Sequence, residues 1–114
     1  MEITKDNAFD LGKNRTGWFI GHFMDNPNFK TEDFEIQFID LKKGYSKEST
    51  KINSNVKALT ILIKGNYEFD FPEENKKVVL KEQGDFVKFD LSSKHIGKAN
   101  EDTRILTIKC PSVK

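Results

Sequence analysis

Hydrophobic and polar residues alternate in several short stretches of the chain. In FEIQFIDL (34–41), positions 34, 36 and 38 share one face of an extended segment, and positions 35, 37 and 39 share the other. This alternation predicts a half-buried β-strand, because successive side chains of a strand point to opposite faces. YEFDF (67–71) and DFVKF (85–89) alternate in a similar way, whereas KALTILIKG (57–65) has the apolar run of a buried strand that ends at its glycine.

Four further stretches complete the pattern. TGWFIGHF (16–23) contains two glycines, which predicts either a strand with bulges or one whose backbone lies close to another group. KVVL (77–80) follows YEFDF as the second strand of a hairpin, and TRILTIKC (103–110) is the last strand. The polar stretch GYSKESTKINSN (44–55) is typical of an exposed loop or a ragged edge strand. Seven or eight short strands and almost no helix predict an all-β sandwich or small barrel.

Length and composition make the strand prediction more specific. The chain has 114 residues, enough for one domain over 1–114 that buries a core without disulfides or structural metal. Cys110 is the only cysteine, so it forms no internal disulfide, and we expect it to be a small buried hydrophobic residue. The N-terminal stretch lacks the apolar segment of a signal peptide, which predicts a cytoplasmic protein.

The charge balance excludes one class of partner. Nineteen basic and eighteen acidic side chains give a net charge of +1, without the excess of positive charge that binding a row of phosphates requires. We therefore expect no nucleic acid partner. No apolar run approaches the roughly 18 residues of a membrane-spanning helix, so we expect no membrane partner either.

The second half of the chain resembles the cupins, a superfamily of small jelly-roll barrels built as double-stranded β-helices. Their second motif places a histidine eleven residues after a glycine, and Gly84 and His95 stand at this spacing. Asp90 and Ser92 occupy the positions at which the motif has proline and glycine. The resemblance covers about residues 37–111 and implies an all-β, cupin-like jelly-roll barrel of the RmlC-like kind.

The first cupin motif lacks its metal ligands in this chain. When Gly44 begins the motif, Thr50 and Ile52 occupy its two histidine positions, and its glutamate position falls within residues 56–58, where no glutamate occurs. The resemblance therefore implies a barrel with no bound metal and no cofactor. The remaining alternative, three ligands from His22, His95 and Glu35, requires the N-terminal strand to lie across the barrel mouth, and nothing in the spacing requires that.

A second resemblance extends over the whole chain. Small single-domain cupin-like proteins carry the patterns GWxxGHF near the N-terminus and EDxxxLTxxxPS near the C-terminus, and this chain has GWFIGHF from Gly17 and EDTRILTIKCPS from Glu101. This supports the fold and leaves the function open. Cupin-like proteins commonly dimerise through apolar strand faces, so the resemblance favours a homodimer in which phenylalanines of FEIQFID and DFVKF cover the contact. The other reading is that these phenylalanines line an apolar cavity.

Six residues are candidates for a ligand site. His95 and His22, the two histidines of the chain, can donate or accept hydrogen bonds or act as acid-base groups. His95 is equally well explained as a turn histidine, and His22 as a residue at the barrel rim or a subunit contact. Trp18, the one tryptophan, suits a pocket wall but also a packed core. The other candidates for ligand contacts are Glu35, Gln37 and Tyr45.

These residues support three interpretations. The first is a protein that binds a small molecule, of the sugar or nucleotide type, in the barrel without a catalytic metal. The second is a metal-independent acid-base isomerase or epimerase acting on a carbohydrate, in which His95 moves a proton. The third is a structural or protein-binding module whose barrel is filled by its own phenylalanines. A second group within hydrogen-bond reach of a histidine separates the second from the first, and an open cavity separates both from the third.

Overall fold

The structure is a computed structural model that describes residues 1–50 and 55–112. Ile52, assigned above to a histidine position of the first motif, lies outside the described residues. The elements are, in chain order, helix α1 (Ala8–Gly12) and strands β1 (Trp18–Ile20), β2 (Glu35–Leu41), β3 (Ser46–Ser49), β4 (Lys57–Lys64), β5 (Tyr67–Phe71), β6 (Lys76–Leu80), β7 (Phe86–Asp90), β8 (His95–Ala99) and β9 (Thr103–Cys110), with a 3₁₀ turn at Pro72–Glu74.

The strands form two antiparallel sheets that face each other. The five-stranded sheet has the order β1-β2-β9-β4-β7, and the four-stranded sheet has the order β3-β8-β5-β6. Strands that are distant in sequence are neighbours in both sheets, as in a jelly roll. The predicted all-β jelly-roll fold is confirmed, and the polar stretch after Gly44 contributes an edge strand, β3, as one of its two interpretations predicted.

The register of β9 decides which side chains point into the barrel. β9 pairs with β2 on one edge and with β4 on the other, and Thr107 lies opposite both Gln37 and Thr60. The inner face therefore takes alternate residues of each strand. In β2 the inward-facing residues are at the odd positions from 35 to 41, and the first and last of them, Glu35 and Leu41, are buried.

The phenylalanines of β2 and its start lie outside the barrel. Phe38 packs against Phe9 of α1, with ring centroids 5.0 Å apart, and Phe34 is exposed. In β7, Phe89 lies at the cavity whereas Phe86 is 61% exposed. The expectation of a phenylalanine-lined cavity is thus met by Phe89 and is wrong for Phe38, whose face of β2 is covered by the N-terminal helix.

An apolar core closes one part of the barrel. Its buried members come from both sheets: Leu41, Leu62, Tyr67, Phe69, Phe71, Leu80, Ala99 and Ile105. Burying a large apolar side chain contributes about 1.5 to 3 kcal/mol, so this cluster holds the two sheets together. A smaller cluster of Val56, Ala58 and Leu91 packs beside Phe89.

Three local predictions differ from the structure. β8 was not predicted as a strand, and His95 is its first residue rather than a turn residue. Cys110 is exposed, so the expected buried position is wrong; as the last residue of β9 it lies where that strand leaves the sheet. Helix α1 was not predicted, because its five residues are too few to show a helical period. The Asn7 side chain caps this helix by accepting hydrogen bonds from the backbone N–H groups of Phe9 and Asp10.

Among the described residues, no helix is long and apolar enough to cross a membrane, and the cytoplasmic location stays a prediction.

A glycine in β8 makes room for a tyrosine that borders the cavity. A Cβ atom at position 97 would lie 2.9 Å from the Cζ atom of Tyr67 and closer still to its hydroxyl oxygen. We expect Gly97→Ala to lower the free energy of unfolding by about 1 to 3 kcal/mol, because the methyl group overpacks this contact. Urea unfolding measures the change. Adding Tyr67→Phe to Gly97→Ala should recover part of the lost free energy of unfolding. Lys98→Ala, on the exposed face of β8, should have little effect on it. An unchanged free energy of unfolding in Gly97→Ala would contradict the close contact.

Candidate functional site: a polar cavity in the barrel

A cavity of about 110 Å³ lies between the two sheets. This is room for several water molecules. Its lining residues come from both sheets: Trp18, Gln37, Ile39, Leu41, Tyr45, Lys47, Ser49, Thr60, Tyr67, Phe69, Phe89, Leu91, His95, Gly97, Ile105, Thr107 and Lys109. The mixture of an apolar wall with a few polar groups is the composition expected of a small-molecule site.

The strand registers place the polar lining groups opposite one another. In the five-stranded sheet, the hydroxyls of Thr60 and Thr107 are hydrogen-bonded at 2.9 Å, and both residues are buried. In the four-stranded sheet, Ser49 of β3 pairs with His95 of β8. In each sheet the polar groups thus come from neighbouring strands rather than from loops, and side chains on strands are held in more precise positions than those on loops.

His95 has an unusual environment for a histidine. Its ring packs against phenylalanine rings, and the centroid of Phe89 is 4.9 Å away. Its Nδ1 atom is buried and has no hydrogen-bond partner among the described residues. Burial holds the pKa of His95 below its usual value, a hydrogen bond with the Ser93 backbone opposes that change, and the charges of Lys109 and Lys47 add to it. The imidazole is therefore mostly neutral at pH 7, with one polar atom unsatisfied.

Lys109 and Trp18 form one wall of the cavity. The Lys109 ammonium lies 4.8 Å from the centroid of the Trp18 ring, which is the distance of a cation–π contact. Burial lowers the pKa of Lys109, the Glu35 carboxylate opposes that change, and Lys47 adds to it. Glu35 lies opposite Lys109 in the register of β2 and β9, so its charge is close to that of the ammonium.

His22 and Glu35 lie at a neighbouring pocket that is also lined by Trp18, Arg15 and Phe23. The Nδ1 atom of His22 is 2.6 Å from the hydroxyl oxygen of Ser112, and that hydroxyl donates to Oε1 of Glu35 at 3.3 Å. The backbone N–H of His22 donates to the same hydroxyl oxygen. One serine thus links a histidine of the N-terminal region to a buried carboxylate of β2.

The six candidates therefore divide between two places. Four of them line the barrel cavity: Trp18, Gln37, Tyr45 and His95. The amide of Gln37 donates to the backbone oxygen of Thr16 at 2.8 Å, so part of its polar capacity is already used. His22 and Glu35 line the neighbouring pocket, and Trp18 belongs to both. Whether any of these residues contacts a ligand stays a prediction.

The side chains that line the cavity do not form a ligand set for the kind of metal that the cupin resemblance would imply. Within residues 1–50 and 55–112, no three His, Cys, Asp or Glu side chains converge. His22 and Glu35 do not line the cavity that contains His95, so the three-ligand alternative is wrong. The described residues of β3 that line the cavity are Lys47 and Ser49, and Thr50 is exposed beyond the end of that strand. Ammonium and hydroxyl groups do not replace the imidazoles and carboxylates that such a metal requires.

Several lining residues were not predicted as site residues: Lys47, Ser49, Thr60, Thr107 and Lys109. A signal for Lys109 was present in the sequence, because it continues the alternation of Thr103, Ile105 and Thr107 along β9. A polar residue at the end of an inward-facing series marks the end of the core. Lys47 lies in the basic stretch KKGYSKESTK (42–51), which could receive a phosphate or carboxylate at a pocket rim, although such a run is more often simply solvated.

Comparisons with known proteins agree on the fold. No family model matches the sequence, and no curated protein matches it. Three solved structures with significant similarity are the Cupin_2 domain of an XRE family transcriptional regulator from Enterobacter cloacae, an RmlC-like cupin protein from Desulfovibrio desulfuricans and KdgF from Halomonas sp..

The three alignments are similar in extent and in quality. The Enterobacter domain has a TM-score of 0.61 and 18% identity, over 72% of this chain and 85% of its own. The Desulfovibrio protein has a TM-score of 0.63 and 19% identity, over 73% of this chain and 76% of its own. The Halomonas protein has a TM-score of 0.62 and 17% identity, over 74% of both chains. The structural neighbours are cupin-domain proteins, and the chain described here has the cupin fold.

Proposed function

We propose that this protein binds a small polar molecule of the sugar class in its barrel cavity without a bound metal. The observation that carries this proposal is the buried, unpartnered Nδ1 atom of His95 beside an open cavity. A buried polar atom without a partner costs about 1 to 3 kcal/mol, and a ligand hydroxyl in the cavity would remove that cost. The pair of Thr60 and Thr107 hydroxyls adds further hydrogen-bonding capacity in the same space.

Other features of the cavity support a ligand of this kind. The Trp18 ring provides a flat apolar surface, and flat rings of this kind pack well against the face of a sugar. Gln37, Ser49 and Tyr45 provide neutral polar groups around it. A barrel filled by its own phenylalanines would leave no such cavity, so the structural-module interpretation has less support.

Acid-base catalysis has weaker support than binding. A catalytic histidine is usually oriented by a second group, and the described residues offer no hydrogen-bond partner to Nδ1 of His95. His22 does have such a group in Ser112, but His22 lies at the neighbouring pocket.

The expected homodimer also stays a proposal. The exposed Phe86 on the edge strand β7 supports it, because large apolar side chains at a sheet edge favour pairing with a second copy.

Replacement of His95 tests the binding proposal. In a titration followed by ¹H–¹⁵N NMR, we expect at least one of a panel of hexoses, hexuronates and hexose 6-phosphates to shift the amide signals of Gly97 and Thr107. His95→Phe keeps a ring against Phe89 and removes the two nitrogen atoms, so binding should weaken by about tenfold or more. Lys98→Met, on the outer face of β8, is the control. Failure of every member of the panel to shift these signals would contradict the proposed function.

The lowered pKa of His95 predicts a pH effect on stability. In the unfolded chain His95 has a pKa near 6.5, so at mildly acidic pH the unfolded state takes up a proton more readily than the folded state. Stability should therefore fall as the pH falls from about 7.5 to about 5.5. In His95→Phe the difference between unfolding midpoints at these two pH values should be smaller than in the wild type. An equal difference in both proteins would mean that His95 is not responsible.

The metal-free part of the proposal is tested by elemental analysis. We expect less than about a tenth of an equivalent of any transition metal in the purified protein, because too few ligands converge in the cavity for tight binding. A content near one equivalent of zinc, iron, manganese or nickel would contradict it. Addition of each metal should also leave the unfolding midpoint unchanged, since a ligand that binds only the folded state raises it.

A further inference from the structure

The charged residues in the described lining of the cavity are all of one sign. Its described lining contains two lysines, Lys47 and Lys109, and no aspartate or glutamate. The whole protein carries nearly equal numbers of basic and acidic residues, so this one-sided lining is a local feature of the cavity.

The two lysines line the cavity from opposite sheets. Lys109 is near the end of β9 in the five-stranded sheet, and Lys47 is in β3 at the edge of the four-stranded sheet. Each lysine acts on His95, and Lys47 acts on Lys109, in the direction expected of neighbouring positive charges. Neither forms an ion pair with any carboxylate of the described residues. Lys109 is half-buried whereas Lys47 is exposed, and a positive charge near the half-buried ammonium further disfavours its charged form.

The carboxylate nearest in register to Lys109 does not belong to the cavity. Glu35 is buried at the neighbouring pocket and accepts a hydrogen bond from the Ser112 hydroxyl. The face of Lys109 toward Trp18 is occupied by the indole ring. A cation–π contact and one carboxylate outside the cavity offset part of the cost of burying this ammonium, and an anion within the cavity would offset more.

We propose that the ligand of this cavity is a small hydroxylated carboxylate, such as a sugar acid, whose carboxylate group lies between Lys109 and Lys47. This inference rests on the proposed function, because it names the chemical class of the ligand for the same cavity. His95 and the Thr60–Thr107 pair then contact the hydroxyl groups, which need neutral donors and acceptors. Trp18 supports the ligand and holds the Lys109 side chain in place.

Matched pairs of ligands test the charge requirement. The probes are glucose with glucuronate, galactose with galacturonate and mannose with mannuronate, together with glucose 6-phosphate, each titrated by NMR at low ionic strength. In at least one pair we expect the acid to bind about tenfold or more tightly than the neutral sugar, because the ammonium groups attract only the acid. Added salt should reduce this preference, since dissolved ions screen the attraction.

Variants of the lysines identify the groups that recognise the charge. Lys109→Met keeps an unbranched chain on the Trp18 ring and removes the charge, so the preference for the acid over the neutral sugar should fall below about threefold. Lys109→Arg should keep most of the preference, and Lys47→Met should reduce it. Lys98→Met is the matched control on the outer face of β8. Unfolding midpoints of all four variants verify that the fold is retained.

Each result has a distinct meaning. Equal affinity for the acid and the neutral sugar in every pair would overturn the inference and leave the proposed function intact. No binding by any member of the panel would overturn the proposed function itself. Tight binding of glucose 6-phosphate alone would replace the carboxylate by a phosphate and so overturn the carboxylate assignment. A preference that persists unchanged in both Lys109→Met and Lys47→Met would mean that other groups recognise the charge.

Discussion

The position of β9 between β2 and β4 is the constraint on which the rest of the structure depends. Because this strand is hydrogen-bonded on both edges, its alternation fixes which residues of three strands point into the barrel. A slip of one residue would exchange the inner and outer faces of every strand involved. In the observed register, Ile105 contributes to the apolar core, and Thr107 and Lys109 continue the same inner face into the polar cavity.

The barrel therefore combines a stable core with a costly polar site. The apolar cluster around Leu62 and Phe69 stabilises the contact between sheets, whereas Lys109 and His95 are polar groups that burial disfavours. A protein that needed only a filled barrel would be more stable with apolar residues at these positions. Under the proposed function, a ligand in the cavity would offset part of that loss by pairing with these groups.

The fold and the site differed in how far the sequence predicted them. Alternation in FEIQFIDL and TRILTIKC predicted strands at the observed places, since a two-residue period is a local property. β8 was missed because HIGKA has no clear alternation and follows polar residues. Trp18 and His95 line the cavity and His22 and Glu35 lie at a separate pocket, whereas the predicted roles of all four residues stay predictions. Sequence spacing carries no information on whether residues of β1, β2 and β8 meet.

The sequence by itself determined the all-β fold class, because strand periods, residue types and motif positions can all be counted along the chain. Only the tertiary structure decided which face of each strand is inside. Phe34 and Phe38 suggested an apolar inner face for β2, but α1 covers Phe38 on the outside and leaves Gln37 for the cavity. Lys47 and Lys109 are 62 residues apart in sequence, and they line one cavity because two sheets close over it.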